Sequence, residues 1–533
     1  MAGLVDTRMP GVYTREIPTL PPSVALVPTA VPVFIGFTEK AVKDGEDVNG
    51  KPVRIKSMVN YTDWFGTAPN ETISVTVDDR SKLDRPIDVT IDKTVDKNFK
   101  RRMYYALKLY FLNGGGPAYI ISIGTYVPKP PVTPAPPPLG GGATPPSDKD
   151  LLISGIDAAK KAKEITILVL PDAVSLSDGE YKDVIKAALA HCQKMVNRVV
   201  VLDVKDKDDT GKPVDEISEV TTHFRNQVPS EIEQKKYGAA YYPFLKTTLS
   251  YQYQAADVKL KVNTYAKKPA PSTPAPPAPG APAPAPPAPG APLATTSTDD
   301  PTDSTAEFTT ADEQKMGAIF ATNDLLYNLV ADAIRLYPVP MPPSAAVAGV
   351  YVTTDFSQGV WKAPANVSLA GVVGTTVEID DDFHADLNVD ATGGFSVNAI
   401  RPYTGRGILI FGARTLAGNN LEWRYVSVRR TFCFIEDAVG QAMQDFVFAP
   451  NTRDTWIKVK AMIGNFLNDI WGAGGLFGNT PDEAYRVSVG EPETMSDIDI
   501  LEGRMIVEMK LRVARPAEFI ILRYEHKFQT NNN

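Results

Sequence analysis

"ITILVLP", Ile165 to Pro171, and "RVVVLD", Arg198 to Asp203, are the stretches on which the fold turns. Each is a short apolar run rich in β-branched residues, the pattern of a strand buried on both faces. Between them Tyr181, Val184, Ile185, Ala188, Leu189, Cys192 and Met195 recur at helical spacing. Strand, helix and strand in so short a span require a right-handed crossover and parallel pairing. A further helix with Ile217, Val220 and Phe224 leads into the strand "YGAAYYP". The middle of the chain therefore reads as an α/β layer structure.

Working outward, Met103, Ala106, Leu107, Tyr110 and Phe111 form one helix face, stopped by Asn113-Gly114-Gly115-Gly116. The strand "AYIISIG" follows, and Ile73 to Val95, with alternating Thr, Val and Asp, predicts a small β insertion. Downstream, Leu325 to Tyr337 reads as a helix and "GILIFGARTL" (Gly407 to Leu416) as a strand. "WRYVSVRRTFCFIEDAV" predicts a strand that runs into a helix. A longer helix carries Trp456, Val459, Ile463, Phe466, Leu467 and Ile470 on one face and ends at Gly472-Ala473-Gly474-Gly475. Met505, Val507, Met509, Leu511 and Val513 then alternate with Glu508, Lys510 and Arg512 as a strand, and "PAEFIILRYEHKF" (Pro516 to Phe528) reads as another. These elements complete an α+β C-terminal domain. A terminal strand this apolar needs a partner: a hairpin across Ala514 to Ala517, or a second copy of the chain.

Two stretches break the pattern. "VPKPPVTPAPPPLGGGATPP" follows Tyr126, and Pro269 to Pro292 contains "PAPPAPGAP" twice. Neither has apolar content for a core, and the second would extend about 70 Å as polyproline II. Both read as solvated spacers rather than ligands for proline-motif readers. The resulting organisation is an N-terminal arm and first strand (1–35), a segment with the β insertion (36–125), a spacer (126–147), the α/β domain (148–246), a β segment (247–268) and a second spacer (269–310). A helix and connecting region (311–400), the C-terminal domain (401–515) and a C-terminal arm (516–533) complete it.

The 533 residues allow about three or four domains. Their net charge of −8 disfavours nucleic acid, whose binders carry a basic stripe. Cys192 and Cys433 are too few for a disulfide framework or thiolate metal cage, as expected of a protein made in a reducing cytoplasm. The start "MAGLVDTRMPG" lacks the pattern of a signal peptide. "SVALVPTAVPVFIGF", broken by Pro28 and Pro32, cannot cross a bilayer as a helix, so no membrane insertion is expected.

Chemistry is sparse. Asp172 and Asp203 each end a parallel strand, where open α/β sheets bind ligands, but no phosphate-cradling glycine motif accompanies them. Acids after strands are also ordinary turn and cap residues. In "DDDFHADLNVD" an extended chain would align Asp382, His384, Asp386, Asn388 and Asp390, yet Leu387 and Gly393 stand where a calcium loop needs Gly and Glu. A short capped helix fits better. His191 adjoins an apolar helix face, and Cys192 lies on it as a buried thiol. Neither catalysis nor a cofactor nor a metal is expected.

Taken in order, several stretches resemble the tail sheath proteins of contractile phages and of phage-derived contractile injection systems. They are "PGVYTREI" (Pro10 to Ile17), "PVFIGF", "FLNGGGPAYIISI", "PPSAAVAGVYVTTD" (Pro342 to Asp355), "GVWKAPAN" (Gly359 to Asn366) and "GILIFGARTL". "WRYVSVRRTFCFIEDAV", "FAPNTRDTWIKVKAMIGNFLNDIWGAGGLFG" and "ARPAEFIILRY" follow, and the whole covers roughly half of the chain. The opening "MAGLVDTRMPGVYTREIP" is more similar to the extracellular systems than to tailed phages, while the proline-rich stretches depart from the family pattern.

The resemblance implies a structural subunit without an active site. It implies an α/β core and a C-terminal domain whose sheet is completed by strands from neighbouring subunits. Such subunits stack as rings of six around an inner tube, on a baseplate and under a terminator or cap, with or without sister sheath proteins. Made in the bacterial cytoplasm, they end in an extracellular or cell-associated particle or a phage tail. Carried onto this sequence, the intersubunit strand is Phe519, Ile520, Ile521, Leu522, Arg523 and Tyr524, and the N-terminal arm includes Val12, Tyr13, Thr14, Arg15 and Glu16. Arg453, Lys458 and Lys460, at the start of the long C-terminal helix, are the candidate tube contact. An α/β enzyme using Asp172 and Asp203, and a surface adhesin on proline-rich stalks, are the alternatives.

Overall fold

The computed structural model describes residues 24–126, 146–267, 298–300, 303–310, 314–320, 323–390 and 393–523. At its centre is a nine-stranded sheet. Its middle is parallel, in the order Ala118–Thr125, Pro32–Thr38, Ile167–Val169, Val199–Asp203, Gly238–Tyr242 and Asn398–Tyr403. Val53–Ile55 adds antiparallel at one edge; Gly407–Ile410 and then Val367–Ser368 add antiparallel at the other. Pro32–Thr38, which a boundary at residue 35 would cut, is buried along its whole length. A run with no polar face can only be a central strand, covered above and below.

The crossover helix is Asp178–Met195, opened by a capping box of Ser177 and Glu180 that satisfies free N–H groups of the first turn. Its apolar face, Cys192 included, packs into the main core. Met103–Leu112 covers the other side of the sheet together with Ser344–Gln358. The latter helix had no amphipathic signature because it is buried nearly all round through its first two turns.

The β insertion is larger than its sequence suggests. Ile73–Asp79 pairs antiparallel with Asp88–Ile91 and parallel with Val258–Lys267, which pairs in turn with Asp303–Thr310 and Gln314–Lys315. One sheet thus unites segments far apart in the chain, and residues 303–310, read as the end of the second spacer, are instead one of its strands, paired along Val258–Lys267. Most of both spacers lies outside the described residues.

A second core stands beside the first. Val426–Met443 has Val426 and Cys433 in the main core and Val428, Phe434, Ile435, Ala438 and Val439 in the second, so it is the wall between them. The strand expected at its start is absent: the chain turns at Trp423 and makes one isolated bridge, Arg414 with Tyr425, before the helix begins. Packing on both sides favours a helix there despite the β-branched residues. The strand read at Gly407–Leu416 is also shorter, Gly407–Ile410, because Gly412 comes against Asn398 too closely for any side chain and the segment bends away.

Arg453–Gly472 packs Val459, Met462, Ile463, Phe466, Leu467 and Ile470 into the second core. Against it lies a sheet of two strands among the described residues, Tyr485–Val489 and Val507–Leu511, antiparallel. The first was missed in the sequence. The second is shorter than the alternation Met505–Val513 suggested and pairs with the first. No helix among the described residues is long and apolar enough to cross a membrane.

Candidate interface at the two chain ends

The described chain begins on the second core, not the first. Val27 is buried there and Val24 packs beside it, although the next segment is the central strand of the α/β sheet. Arg430, on the wall helix, holds this root. Its guanidinium donates to both Asp355 oxygens, at 2.8 and 2.6 Å, and to the Thr29 carbonyl at 3.0 Å. Only 3% of the Arg430 side chain and 4% of the Asp355 side chain reach solvent. Burial acts to lower the arginine's pKa, but the adjacent Asp355 outweighs it and the pKa rises. A bidentate geometry is what lets such a buried pair repay its desolvation.

The other end makes the converse move. Leaving Val507–Leu511, the chain bridges Val513 to Leu476 and donates the Ala514 N–H to the Gly475 carbonyl at 3.0 Å. It then crosses to the α/β half. Arg515 Nη1 donates to the Leu421 carbonyl at 2.8 Å. Glu518 accepts from Arg414 Nε at 2.8 Å, Arg414 Nη2 at 2.7 Å, Asn388 Nδ2 at 2.9 Å and the Tyr425 hydroxyl at 2.9 Å. Arg414 is itself fixed, with its backbone N–H on Asn398 Oδ1 and its Nη1 on the Asn388 carbonyl. Burial acts to raise the Glu518 pKa; its hydrogen-bond donors, led by Arg414, outweigh that and hold it below the usual glutamate value.

Past Glu518 no side-chain hydrogen bond or ion pair follows among the described residues. Phe519, Ile520, Ile521 and Leu522 are 69%, 78%, 79% and 69% exposed, a contiguous apolar run in water. Pro516 to Arg523 is irregular, so among the described residues neither the strand expected there nor a hairpin with Val507–Leu511 is formed. An isolated edge strand has no ladder partner and gains nothing by ordering. Tyr524 and the remainder of the expected strand lie outside the described residues, as do Val12, Tyr13, Thr14, Arg15 and Glu16. Between the two roots stands Trp361, flanked by grooves of about 450 Å³ and 720 Å³, one bordered by Val24 and Leu26 and the other by Pro516 and Ile520.

The remaining candidates are separate from this region or already committed. Arg453, Lys458 and Lys460 are exposed on the long helix; among the described residues only Lys460 of the three has an ionic neighbour, Glu493 at 3.9 Å, too far and too wet to hold it. Asp172 accepts the backbone N–H groups of Phe37 (2.8 Å) and Arg102 (2.6 Å). Asp203 accepts both the N–H and the hydroxyl of Ser344, at 2.7 and 2.6 Å. A cavity of about 460 Å³ does open at this end of the sheet, but neither aspartate lines it. Asp380 caps the helix Asp381–Asn388 through the Phe383 N–H, and no cluster of metal-ligating side chains occurs among the described residues.

With this geometry in hand, comparison with known proteins is direct. The phage tail sheath C-terminal domain profile matches residues 419–527, the wall helix through the exposed arm. The tail sheath protein of Vibrio phage KVP40 is 22% identical over 225 residues, 42% of this chain. A putative prophage major tail sheath protein of Pseudomonas aeruginosa UCBPP-PA14 is 25% identical over 183 residues, 33% of this chain. The chain spans 32% and 44% of the length of these two curated relatives. Solved structures match end to end. The helical sheath of the anti-feeding prophage in its contracted state is 26% identical, covering 98% of this chain and 100% of that one, with a TM-score of 0.57. The contracted sheath complex of an extracellular contractile injection system, PVC, is 25% identical over 98% and 99% of the two chains, again with a TM-score of 0.57. Residues 419–527 match the tail sheath C-terminal domain, and nearly the whole chain is similar to the sheaths of contractile injection systems. Its mixed architecture, an α/β core joined to an α+β C-terminal half, is the sheath fold.

The residues of this region that sequence reasoning missed are Arg414, Glu518, Arg430, Asp355 and Trp361. "GVWKAPAN" flagged the last only by resemblance. A signal for Glu518 did exist: one acid set in "AEFIIL", a stretch otherwise without charge.

Proposed function

We propose that this chain is the sheath subunit of a contractile, phage-tail-like injection machine. It polymerises around an inner tube in an extended form, then shortens and drives the tube into a target. The observation that carries the reading is the anchored, apolar chain end: Glu518 is fixed to the body and Phe519 to Leu522 are presented bare to solvent. The match along nearly the whole chain to sheaths solved in their contracted state supports the same conclusion.

In this reading the arm from Phe519 adds a strand to the sheet of Tyr485–Val489 and Val507–Leu511 in a neighbouring copy. Main-chain hydrogen bonds to a sheet edge tolerate sequence variation and survive rotation of the bodies they join. The N-terminal arm, Val12 to Glu16, makes the second link. Rings of six stack on a baseplate, and Arg453, Lys458 and Lys460 meet the tube through screened contacts that release on firing. The work comes from the lattice: the extended polymer is metastable, and each subunit gains interface on contraction. Asp172 is spent on the backbone N–H groups of Phe37 and Arg102, and Asp203 on the N–H and hydroxyl of Ser344, so both serve the fold.

Electron microscopy of the purified chain tests the reading. Striated tubes of uniform width are expected; a protein that stays monomeric at every concentration and salt condition tried refutes it.

A further inference from the structure

The two roots are crossed. The N-terminal root continues into the α/β sheet yet is seated on the second core by Val27 and Arg430. The C-terminal root continues from the second core's sheet yet is seated on the α/β half by Glu518. A pull on either arm is therefore borne by both halves of the body. At the C-terminal root the boundary is sharp: Glu518 is tied to Arg414, Asn388 and Tyr425, and the next residue is exposed.

We infer that the Arg414–Glu518 pair is the anchor that sets where the C-terminal arm becomes free, so that residues through Glu518 move with their own subunit and residues from Phe519 move with the neighbour. The inference rests on the sheath reading. Glu518 is a positioning residue: it touches no partner and acts by fixing the origin and direction of the arm. Three elements supply its donors: the end of the helix Asp381–Asn388, the segment after Gly407–Ile410, and the start of the wall helix. An arm so fixed reaches a neighbour only at one separation and angle. Freed, it gains several residues of slack, and the energy difference between extended and contracted lattices no longer passes through a taut link.

The test is to make particles in which the full-length chain carries Arg414→Met with Glu518→Met, a pair that removes both charges without leaving either buried alone. Glu518→Gln, which keeps the side-chain shape, gives the same reading should the double variant fail to fold. Particles carrying Glu518→Asp measure rescue. Extended and contracted sheaths are counted by electron microscopy, and the melting temperature of the unassembled subunit is followed in parallel. At a melting temperature equal to wild type, extended sheaths are expected to fall about tenfold, the scale of one lost charged hydrogen bond, with partial recovery in Glu518→Asp. A purely structural role would lower the melting temperature and leave the extended-to-contracted ratio of surviving particles unchanged. Extended sheaths at the wild-type ratio in the charge-free variant overturn the anchor. If the unaltered chain forms no sheaths at all, it is the sheath reading that fails.

Discussion

At the scale of single residues, the sheath body is held by acids that serve its backbone. Asp203 is the clearest. Fully enclosed beneath the first turn of Ser344–Gln358, its carboxyl is pushed up to about 7, chiefly by burial, with the hydrogen bonds from Ser344 working against the shift. The sign follows: a carboxyl whose pKa is higher folded than unfolded binds an extra proton when folded. Its contribution is full below the unfolded pKa and disappears as pH rises through about 7. Subunit stability should thus fall between pH 5 and pH 7.5 by up to about 1.4 kcal/mol per pH unit for this one proton. Asp203→Asn, which keeps the shape and can still pair with Ser344, should reduce that slope by one proton in urea titrations across the range. Glu71, also raised to about 7 by burial, leaves a residual slope in the variant. An Asp203→Asn protein whose slope equals the parent's would contradict this assignment.

At the scale of elements, the exposed arm and the two-stranded sheet explain each other. Removing Phe519 to Asn533 deletes no described residue of either core, so the truncated chain should keep its circular dichroism and fail to sediment as polymer. Ile521→Pro removes one ladder donor and should give folded monomers or rings that do not stack. Global unfolding in either protein would show that the arm folds back within its own subunit. The long helix supports a separate expectation. Its apolar face is buried and Arg453, Lys458 and Lys460 face outward, so reversing the three charges should leave the fold intact and uncouple the tube. Unchanged co-assembly with the tube at low salt would count against that contact.

These same elements show what the sequence could disclose. Ile165 to Asp203 is legible because each strand is apolar along its length and the helix between them keeps one apolar stripe; local pattern and tertiary burial agree. Ser344–Gln358 is not, since a helix enclosed by sheet and neighbours has no stripe to show. Tyr485–Val489 is too short to stand out from turns. The strand read at Trp423 failed because β-branched residues are also what a helix uses when it divides two cores. At the chain end, the apolar alternation marks the run Phe519 to Leu522, which is exposed in the structure, but carries no information on where the body stops. Arg414 lies more than a hundred residues from Glu518, and only the fold brings them together.

For the molecule as a whole, the proline-rich stretches have little apolar content with which to join either core. The second leaves from the central strand of the insertion sheet, Val258–Lys267, and the chain re-enters that sheet at its edge strand, Thr298–Asp300. Deleting Pro269 to Pro292 should therefore leave polymerisation and contraction unchanged, as judged by tube yield and by the fraction of shortened sheaths. A folded deletion protein that cannot polymerise would make the segment part of the lattice. The central claim concerns the links between copies, and a helical reconstruction of the assembled sheath by electron cryomicroscopy reads them directly. The chain from Phe519 to Phe528 should run from one subunit into the next and lie along the strands Tyr485–Val489 and Val507–Leu511 of that neighbour. A terminal segment folded back onto its own Val507–Leu511, with subunits joined only through their rigid faces, would contradict it.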